Sequence, residues 1–541
     1  MSKDQSFPQP SHWADVNAQK IIREKGPKET YTCASGITPS GTVHIGNFRE
    51  IISVDLVARA LRDHGQSVRF IYSWDDYDVF RKVPANMPQP EMLAGYLRQP
   101  ITKVPDPFGE HESYARHNEA VLEVQLDRVG IAPEYIYQAQ QYMASKYAAD
   151  IRTALEKRDA IREILNQHRT SPLPDDWWPV SVFSQEDFTD EVDILAWDGE
   201  WQLTYRTRST GTEQTVDLRS ASEVKLPWRI DWPMRWAFEK VDFEPAGKEH
   251  HSAGGSFDTA KEVAQAVYDY QAPVTFKYDF ISIKGQGGKI SSSLGNVIDL
   301  ETALEVYQPE IVRYLFASTR PNSEFAISFD LDVIKIYEYY DRCERVYYGV
   351  DVIKDEKAQK ERRIYELSQV EPLGRSMSGE GLPAANEMPM QLPFRHLCNM
   401  LLINAGNIEA ALDSFEGLLP EHRERARVRA ACAWNWIGQY APEDFRFSLK
   451  TGDEKPVELS QQELAAVQAV AAEVEQNFAS HDEKSLQNAL YTAARDTGIE
   501  PAELFTVMYR ILIGKDAGPR LGGFIGTIGA ERFLQILKGY R

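Results

Sequence analysis

The stretch Cys33-Ala34-Ser35-Gly36-Ile37-Thr38-Pro39-Ser40-Gly41-Thr42-Val43-His44-Ile45-Gly46-Asn47 limits the possible folds of this chain more than any other. Positions 29 to 35 alternate and are β-prone, the glycines and Pro39 interrupt them, and an amphipathic helical pattern begins near Gly46. Ile51, Ile52, Val54, Leu56, Val57, Ala60 and Leu61 form a broad apolar helical face, Gly65 supplies a stop, and 67 to 73 has strand character. Strand, helix and strand in this order make a βαβ unit and imply a parallel sheet. A tight loop at a helix N-terminus gathers backbone N–H groups and the positive end of the helix dipole, so it can hold a phosphate without a cationic side chain. Glycine and serine in such a loop also serve turn geometry alone, and the stretch by itself leaves both readings open.

The ligand crevice of a parallel sheet lies beyond the C-terminal strand ends, where Trp74-Asp75-Asp76 emerges. Two adjacent carboxylates there suit an ammonium group, with Asp75 placed ahead of Asp76, while helix capping is the plainer use. Upstream, Trp13-Ala14-Asp15-Val16 and Ile21-Ile22 supply the apolar side of a short helix within 1–28. Downstream, the spacing predicts an irregular proline-rich segment over 84–106, helices over 111–130 and 142–167, and a small β insertion over 181–224. The last sheet strand is expected at 274–283, followed by a turn rich in glycine (Gly285, Gly287, Gly288). Beyond 330 the periodicity is almost wholly helical: 333–350, a linker at 371–390, then five or so helices at 393–415, 420–440, 460–479, 485–497 and 502–514. Arg423, Arg425, Arg427 and Arg429 lie among acids there, the usual pattern of a solvated helix face.

His44-Ile45-Gly46-Asn47 resembles the HIGH signature of class I aminoacyl-tRNA synthetases, and Lys289-Ile290-Ser291-Ser292-Ser293 resembles their KMSKS loop. The longer stretches 36–50, 73–78, 225–233, 244–250, 254–259 and 518–522 are similar to class I lysyl-tRNA synthetase, so the resemblance covers essentially the whole chain. It implies an α/β fold: a Rossmann-type parallel-sheet catalytic domain with a small β-containing insertion, followed by an all-α C-terminal anticodon-binding bundle. The corresponding boundaries are 1–110 and 225–330 for the two catalytic halves, 111–224 for the connective insertion, 331–390 for a helical stem-contact region with linker, and 391–541 for the bundle. Ile290 for methionine, Ser292 for the second lysine, Leu294 after the loop and Asn47 for the final histidine are departures from the general class I pattern.

The implied reaction is attack of the lysine carboxylate on the α-phosphorus of ATP, then transfer of the lysyl group to a terminal tRNA ribose. Positioning and electrostatic stabilisation carry most of such a step. By resemblance His44, Asn47 and Lys289 are the catalytic residues. Pro39, Ser40, Gly41, Gly46, Gly254, Gly255, Ser291, Ser292 and Ser293 join them in binding ATP. Gly36, Thr38, Asp75, Trp228, Asp231, His250 and Tyr278 are the lysine-pocket candidates, since an aliphatic stem needs an apolar or aromatic wall and its ammonium needs an acceptor. Magnesium is expected with the nucleotide, held mainly by phosphates. The expected partners are lysine tRNA, L-lysine and ATP, with no DNA and no membrane.

The net charge of −21 leaves RNA binding open, because a large acidic chain can carry one locally basic face. Cys33, Cys343, Cys398 and Cys432 are scattered singly with no CxxC, so no structural zinc is expected. The polar N-terminus and the lack of a membrane-length apolar run make the cytoplasm the default location. Three other readings share parts of these signals: a glutamate-specific enzyme, a non-catalytic RNA-binding paralogue, and a small-molecule nucleotidyltransferase. Each leaves the pocket chemistry, the retained loop residues or the helical C-terminal half unexplained.

Overall fold

The computed structural model describes residues 10–252, 254–285, 298–373 and 384–541. The chain divides into two units, Met1–Ile327 with Arg342–Met388, and Ser328–Asp341 with Pro389–Arg541.

In the first unit, helix α1 (Trp13–Lys25) precedes strand β1 (Tyr31–Ile37), helix α2 (Ile45–Asp63) and strand β2 (Val68–Trp74). Seven residue pairs, from Tyr31 opposite Val68 to Ile37 opposite Trp74, join β1 and β2 in parallel, as the βαβ pattern requires. α1 buries Ala14, Ala18, Ile21 and Ile22, whereas Val16, expected on its apolar side, is exposed. A short helix α3 (Pro90–Ala94), helix α4 (Tyr114–Arg128) and strand β3 (Glu134–Tyr137) follow, and β3 adds to the free edge of β2.

The single helix expected over 142–167 is three: α5 (Gln138–Met143), α6 (Ala148–Glu156) and α7 (Arg158–Gln167). Ser145 holds a left-handed backbone at φ 51°, which ends the first of them. The expected β insertion is present as β4 (Ser181–Val182), β5 (Val192–Trp197), β6 (Gln202–Thr207), β7 (Glu213–Asp217) and β8 (Val224–Lys225). β5, β6 and β7 form an antiparallel meander and β4 pairs with β8.

Helix α8 (Trp228–Glu239) then leads to β9 (Val241–Phe243), which pairs with the other edge of β1 to complete a sheet of order β3-β2-β1-β9. β10 (Ala246–Gly247) and helix α9 (Ser256–Tyr268) come next, then β11 (Lys277–Tyr278), β12 (Ile281–Ile283) and, after further helices, β13 (Phe325–Ile327). The expected continuous strand over 274–283 is therefore broken. Val274 bridges Phe243, β11 pairs with β10 and β12 pairs with β13, all in parallel. The break falls opposite Glu244-Pro245, where proline brings no N–H to a ladder.

The second unit is all-helical. Eight α-helices lie between Phe394 and Ile536 among its described residues, against the five or so expected, because 393–415 divides at 404–407 and two short helices, Leu521–Ile528 and Ala530–Ile536, close the chain. Its core includes Trp436, whose indole N–H donates to the Phe329 carbonyl at 2.9 Å. The arginine series is mixed: Arg423 and Arg427 pair with Glu409 near the surface, whereas Arg429 is buried against Asp341 at 2.6 Å.

Candidate active site

The loop between β1 and α2 ends in a histidine cap. His44 Nδ1 accepts the backbone N–H groups of Gly46 at 3.1 Å and Asn47 at 3.3 Å, so in the neutral imidazole the proton sits on Nε2. The ring lies so close to the helix that a Cβ at Gly46 would fall 2.9 Å from its Nδ1 and Cε1. Tyr114 fastens the loop by donating its hydroxyl to the Ser40 carbonyl at 3.1 Å, and Gly41 packs on Pro84 beside it. Ile45 N donates to the Ile298 carbonyl at 2.8 Å and His44 bridges Asp299, which brings the chain after 297 back against the start of α2. Lys289, Ser291, Ser292 and Ser293, together with Gly287, Gly288, Ile290 and Leu294, lie outside the described residues.

Beyond this loop a cavity of about 370 Å³ opens over the ends of β1 and β2, walled by α8 and by the segment at 244–250. Gly36, Thr38, Asp75, Trp228 and His250, five of the seven lysine-pocket candidates, line it. A Cβ at Gly36 would sit 2.7 Å from the Ser73 carbonyl of β2, so only glycine lets the two strands close here. Thr38 donates its hydroxyl to Asp78 at 3.0 Å, and Lys225 grips the same carboxylate at 2.6 Å. Burial works against the Asp78 charge, but these partners outweigh it and hold the carboxyl below its usual range.

Asp75 and Asp76 separate clearly. Asp75 lines the cavity and takes Arg235 Nη1 at 2.7 Å, yet burial still raises its pKa to about 6. Asp76 turns away to accept the Ala139 N–H at 2.7 Å at the start of α5, and burial lifts it to about 7. Asp231 differs from expectation. It is not on the cavity wall but behind it, where it accepts the Tyr142 hydroxyl and forms an ion pair with Arg235 Nε at 2.9 Å. It holds Arg235 rather than facing a ligand. Tyr278 likewise stands behind the wall, donating its phenol to Glu50 Oε2.

Among the further acids lining the cavity, Glu50 and Glu244 are the two whose pKa burial raises. Glu50, on α2, accepts from Ser35 Oγ at 2.8 Å and Gly36 N at 3.3 Å as well as from Tyr278, and burial raises its pKa above the ordinary value. Glu244 accepts one indole N–H on each oxygen, from Trp232 at 3.1 Å and from Trp236. Burial first, and then the charge of Glu50, raise it to about 7. Glu50 had a signal in the chain, lying three residues after Asn47 on the same helical face; Glu244, between Phe243 and Pro245 and two residues after another acid, Asp242, had none as clear.

Gly254 and Gly255 open α9, four and five residues after the cavity-lining His250, whose carbonyl accepts the Phe257 N–H at 3.0 Å. Gly254 has φ 70°, and a Cβ there would meet His168 Nδ1 at 3.0 Å. The four cysteines are buried and none of them forms a disulfide. The expectation about zinc rested on cysteine alone. Among the described residues, Asp106, His111 and His117 bring one possible metal-ligand atom each to within 4.8 Å of one another. Both histidines there have an Nδ1 with no hydrogen-bond partner, while Asp106 already accepts the backbone N–H groups of Phe108, Glu110 and His111.

The family model described as tRNA synthetases class I (K) matches residues 11–371. A lysine–tRNA ligase of Borrelia garinii subsp. bavariensis is 51% identical over 530 residues, covering 98% of this chain and 99% of that protein. One from Treponema pallidum is 52% identical over 533 residues, 98% of each chain. One from Pyrococcus horikoshii is 43% identical over 549 residues, 97% of this chain and 99% of the other. A histidine-capped loop at the start of α2, a cavity rich in indoles and carboxylates, and full-length identity of this order agree: the chain belongs to the class I lysyl-tRNA synthetase family of ligases.

Proposed function

We propose that this chain activates L-lysine with ATP and transfers it to the 3′ end of lysine tRNA, with the cavity over β1 and β2 as the lysine site. The observation that carries the reading is the pairing of Glu50 and Glu244, two buried carboxyls with raised pKa, in one indole-walled cavity adjoining the His44-capped end of α2. Burial disfavours the charged form of both carboxyls, and an ammonium placed beside them restores it, so the cavity suits a cationic side chain. The relatives' shared name, lysine–tRNA ligase, supports the same substrate.

Geometry orients the amino acid. Glu50 follows His44 by six residues, about 9 Å along the helix axis, which suits a lysine whose carboxylate lies at the N-terminal end of α2 and whose ε-ammonium lies at Glu50 and Glu244. Trp228, Trp232 and Trp236 flank the aliphatic stem, and Asp75 accepts the α-ammonium. A glutamate side chain would need a buried guanidinium free for it; Arg235 is already engaged by Asp75 and Asp231, and Arg81, the other arginine of the lining, is an exposed side chain.

In the first step, the lysine carboxylate attacks the α-phosphorus in line and pyrophosphate leaves. His44 Nε2–H, Asn47 and the amide groups of the helix start meet the developing charge on the phosphoryl oxygens. Lys289 and the hydroxyls of Ser291, Ser292 and Ser293 hold the β- and γ-phosphates, and Pro39, Ser40, Gly41, Gly46, Gly254 and Gly255 let the nucleotide approach the backbone. Magnesium accompanies ATP, bound chiefly by its phosphates. The all-helical second unit binds the anticodon region, and the enzyme works in the cytoplasm. No helix of the described residues is long and apolar enough to cross a membrane.

The test is pyrophosphate release with ATP and magnesium, using lysine, ornithine, arginine and glutamate separately, with and without lysine tRNA. Release with lysine alone among the four, dependent on tRNA, is the expected result. No release with any of them, while ATP or tRNA still binds, overturns the proposal in favour of an RNA-binding paralogue.

A further inference from the structure

Arg49 lies on α2 between Asn47 and Glu50. It is 2% exposed, and its guanidinium makes four hydrogen bonds, all to backbone carbonyls. Nη1 donates to Asp279 at 2.7 Å and to Phe280 at 3.1 Å, while Nη2 donates to Arg320 at 3.0 Å and to Ser323 at 2.7 Å. Phe325 lies under the guanidinium, with its ring centre 5.2 Å from Cζ. One side chain of α2 thus ties together the segment joining β11 to β12 and the loop that leads into β13.

The neighbour on each side of this clamp matters. Glu50, the next residue on α2, receives the phenol of Tyr278, and Tyr278 is the residue immediately before Asp279, the first carbonyl that Arg49 holds. Consecutive helix residues point about 100° apart, so Arg49 and Glu50 take hold of 278–280 at two separate places. Tyr278 belongs to a two-residue strand, and pairing with β10 gives it little support of its own. The carbonyl clamp compensates for that: with Asp279 and Phe280 fixed to α2, the phenol has one place to stand, against Glu50.

We infer that Arg49 is a positioning residue for amino-acid length: by fixing 279–280 to α2, it fixes Tyr278 behind Glu50 and so holds the carboxylate that lines the far end of the lysine cavity. The inference rests on the lysine-pocket reading above. Its signature is a change in discrimination along the side-chain axis, because ornithine is shorter by one methylene and depends on the same end wall being at the wrong depth for it. A planar fork reaching carbonyls on two segments has no equivalent in lysine, whose ammonium is one point charge, so the conservative variant should restore the effect only in part.

The experiment compares wild type, Arg49→Lys, Arg49→Met and Phe325→Leu, measuring kcat/KM for lysine and for ornithine in tRNA-dependent pyrophosphate release, and KM for ATP in the same assay. One methylene supports a discrimination of about 10- to 200-fold. The expected result is a lysine-to-ornithine ratio lowered about tenfold in Arg49→Met, less in Arg49→Lys, with KM for ATP within about twofold of wild type. Phe325→Leu leaves the carbonyl clamp and removes only the ring beneath it, so it should move the ratio slightly in the same direction, and it serves if Arg49→Met does not fold. Equal losses on both amino acids, with the ratio unchanged in every folded variant, would reduce Arg49 to scaffold and overturn the inference. Absence of lysine activation by wild type would instead overturn the lysine-pocket reading.

Discussion

Lysine affinity should weaken as the solution is acidified through neutrality, with Glu244 carrying the first part of the fall. In the free protein this carboxyl is raised from 4.5 to about 7, by burial first and by the Glu50 charge second. An ammonium beside it favours the ionised form, so binding must expel the proton: about 0.5 proton at pH 7 and about 0.9 at pH 6 from this group. The dissociation constant then rises about fivefold from pH 7 to pH 6 and approaches tenfold per pH unit below that, about 50-fold in all from pH 7 to pH 5, near 2.3 kcal/mol. Asp75, raised to about 6, adds a second fall below that pH. The raised value has a matching effect on stability. The unfolded chain loses this proton near 4.5 and the folded one near 7, so the folded state loses about 3 kcal/mol of stability as pH rises between them.

Glu244→Gln keeps the shape and removes the charge. It should weaken lysine binding at pH 8 by about 10- to 100-fold, the loss of a charged hydrogen bond, and flatten the dependence between pH 7 and pH 6. It should also gain stability relative to wild type as pH rises from 5 to 8, even though the new amide must face two indole donors with one acceptor oxygen. The assay is calorimetric titration of L-lysine from pH 5.5 to 8 in two buffers of different ionisation enthalpy, which separates proton release from binding heat. Wild-type affinity that stays constant from pH 6 to 8 with no proton release, or a variant with the wild-type slope, refutes the reasoning.

Other substitutions probe the frame. Gly46→Ala places a Cβ 2.9 Å from the His44 ring and should push it off the helix cap, lowering kcat of adenylate formation about 100-fold with lysine affinity nearly unchanged in a direct binding assay. Gly36→Ala sets a methyl 2.7 Å from the Ser73 carbonyl, so the β1–β2 pair should strain by about 1–3 kcal/mol, read as a lower melting temperature and weaker lysine binding. Asp231→Asn should destabilise by about 3 kcal/mol, since Arg235 is left buried with less charge to meet it, whereas Tyr142→Phe should cost about 1 kcal/mol; both are followed by urea denaturation. In the helical unit, Arg429→Met leaves Asp341 buried without its counter-charge, and a loss of about 3–5 kcal/mol is expected by the same measurement.

The βαβ start was legible because the apolar period changes from two to 3.6 across a glycine-rich break, and no tertiary contact is needed to see that. The division of 138–167 was not, because Ser145 gives little local warning of a positive φ. The sequence ranked Asp75 ahead of Asp76 only by position after the strand; in the structure orientation separates them, Asp75 facing the cavity and Asp76 accepting the Ala139 N–H. Asp231 was misplaced for a geometric reason. The cavity side of α8 is the stripe Trp228, Trp232, Arg235, Trp236 and Glu239, at helical spacing, and Asp231 falls to one side of it. That same stripe, traced from Trp228, would have picked out Trp232 and Trp236. The roles of Glu50 and Glu244 depend on what surrounds them, two segments brought together by the sheet, and a motif read in isolation carries no such information.

α2 carries both ends of the proposed site on one rod: the cap that meets phosphate at its first residues, and the acid that meets the ammonium at Glu50. A helix is stiff along its axis, so the gap between the two chemistries is set by a residue count and works as a ruler. Changing the length of amino acid accepted by this chain would therefore be a matter of moving the acid along the ruler, one turn being about 5.4 Å. Loosening the walls around an unmoved acid would blur how sharply that length is enforced without choosing a new one.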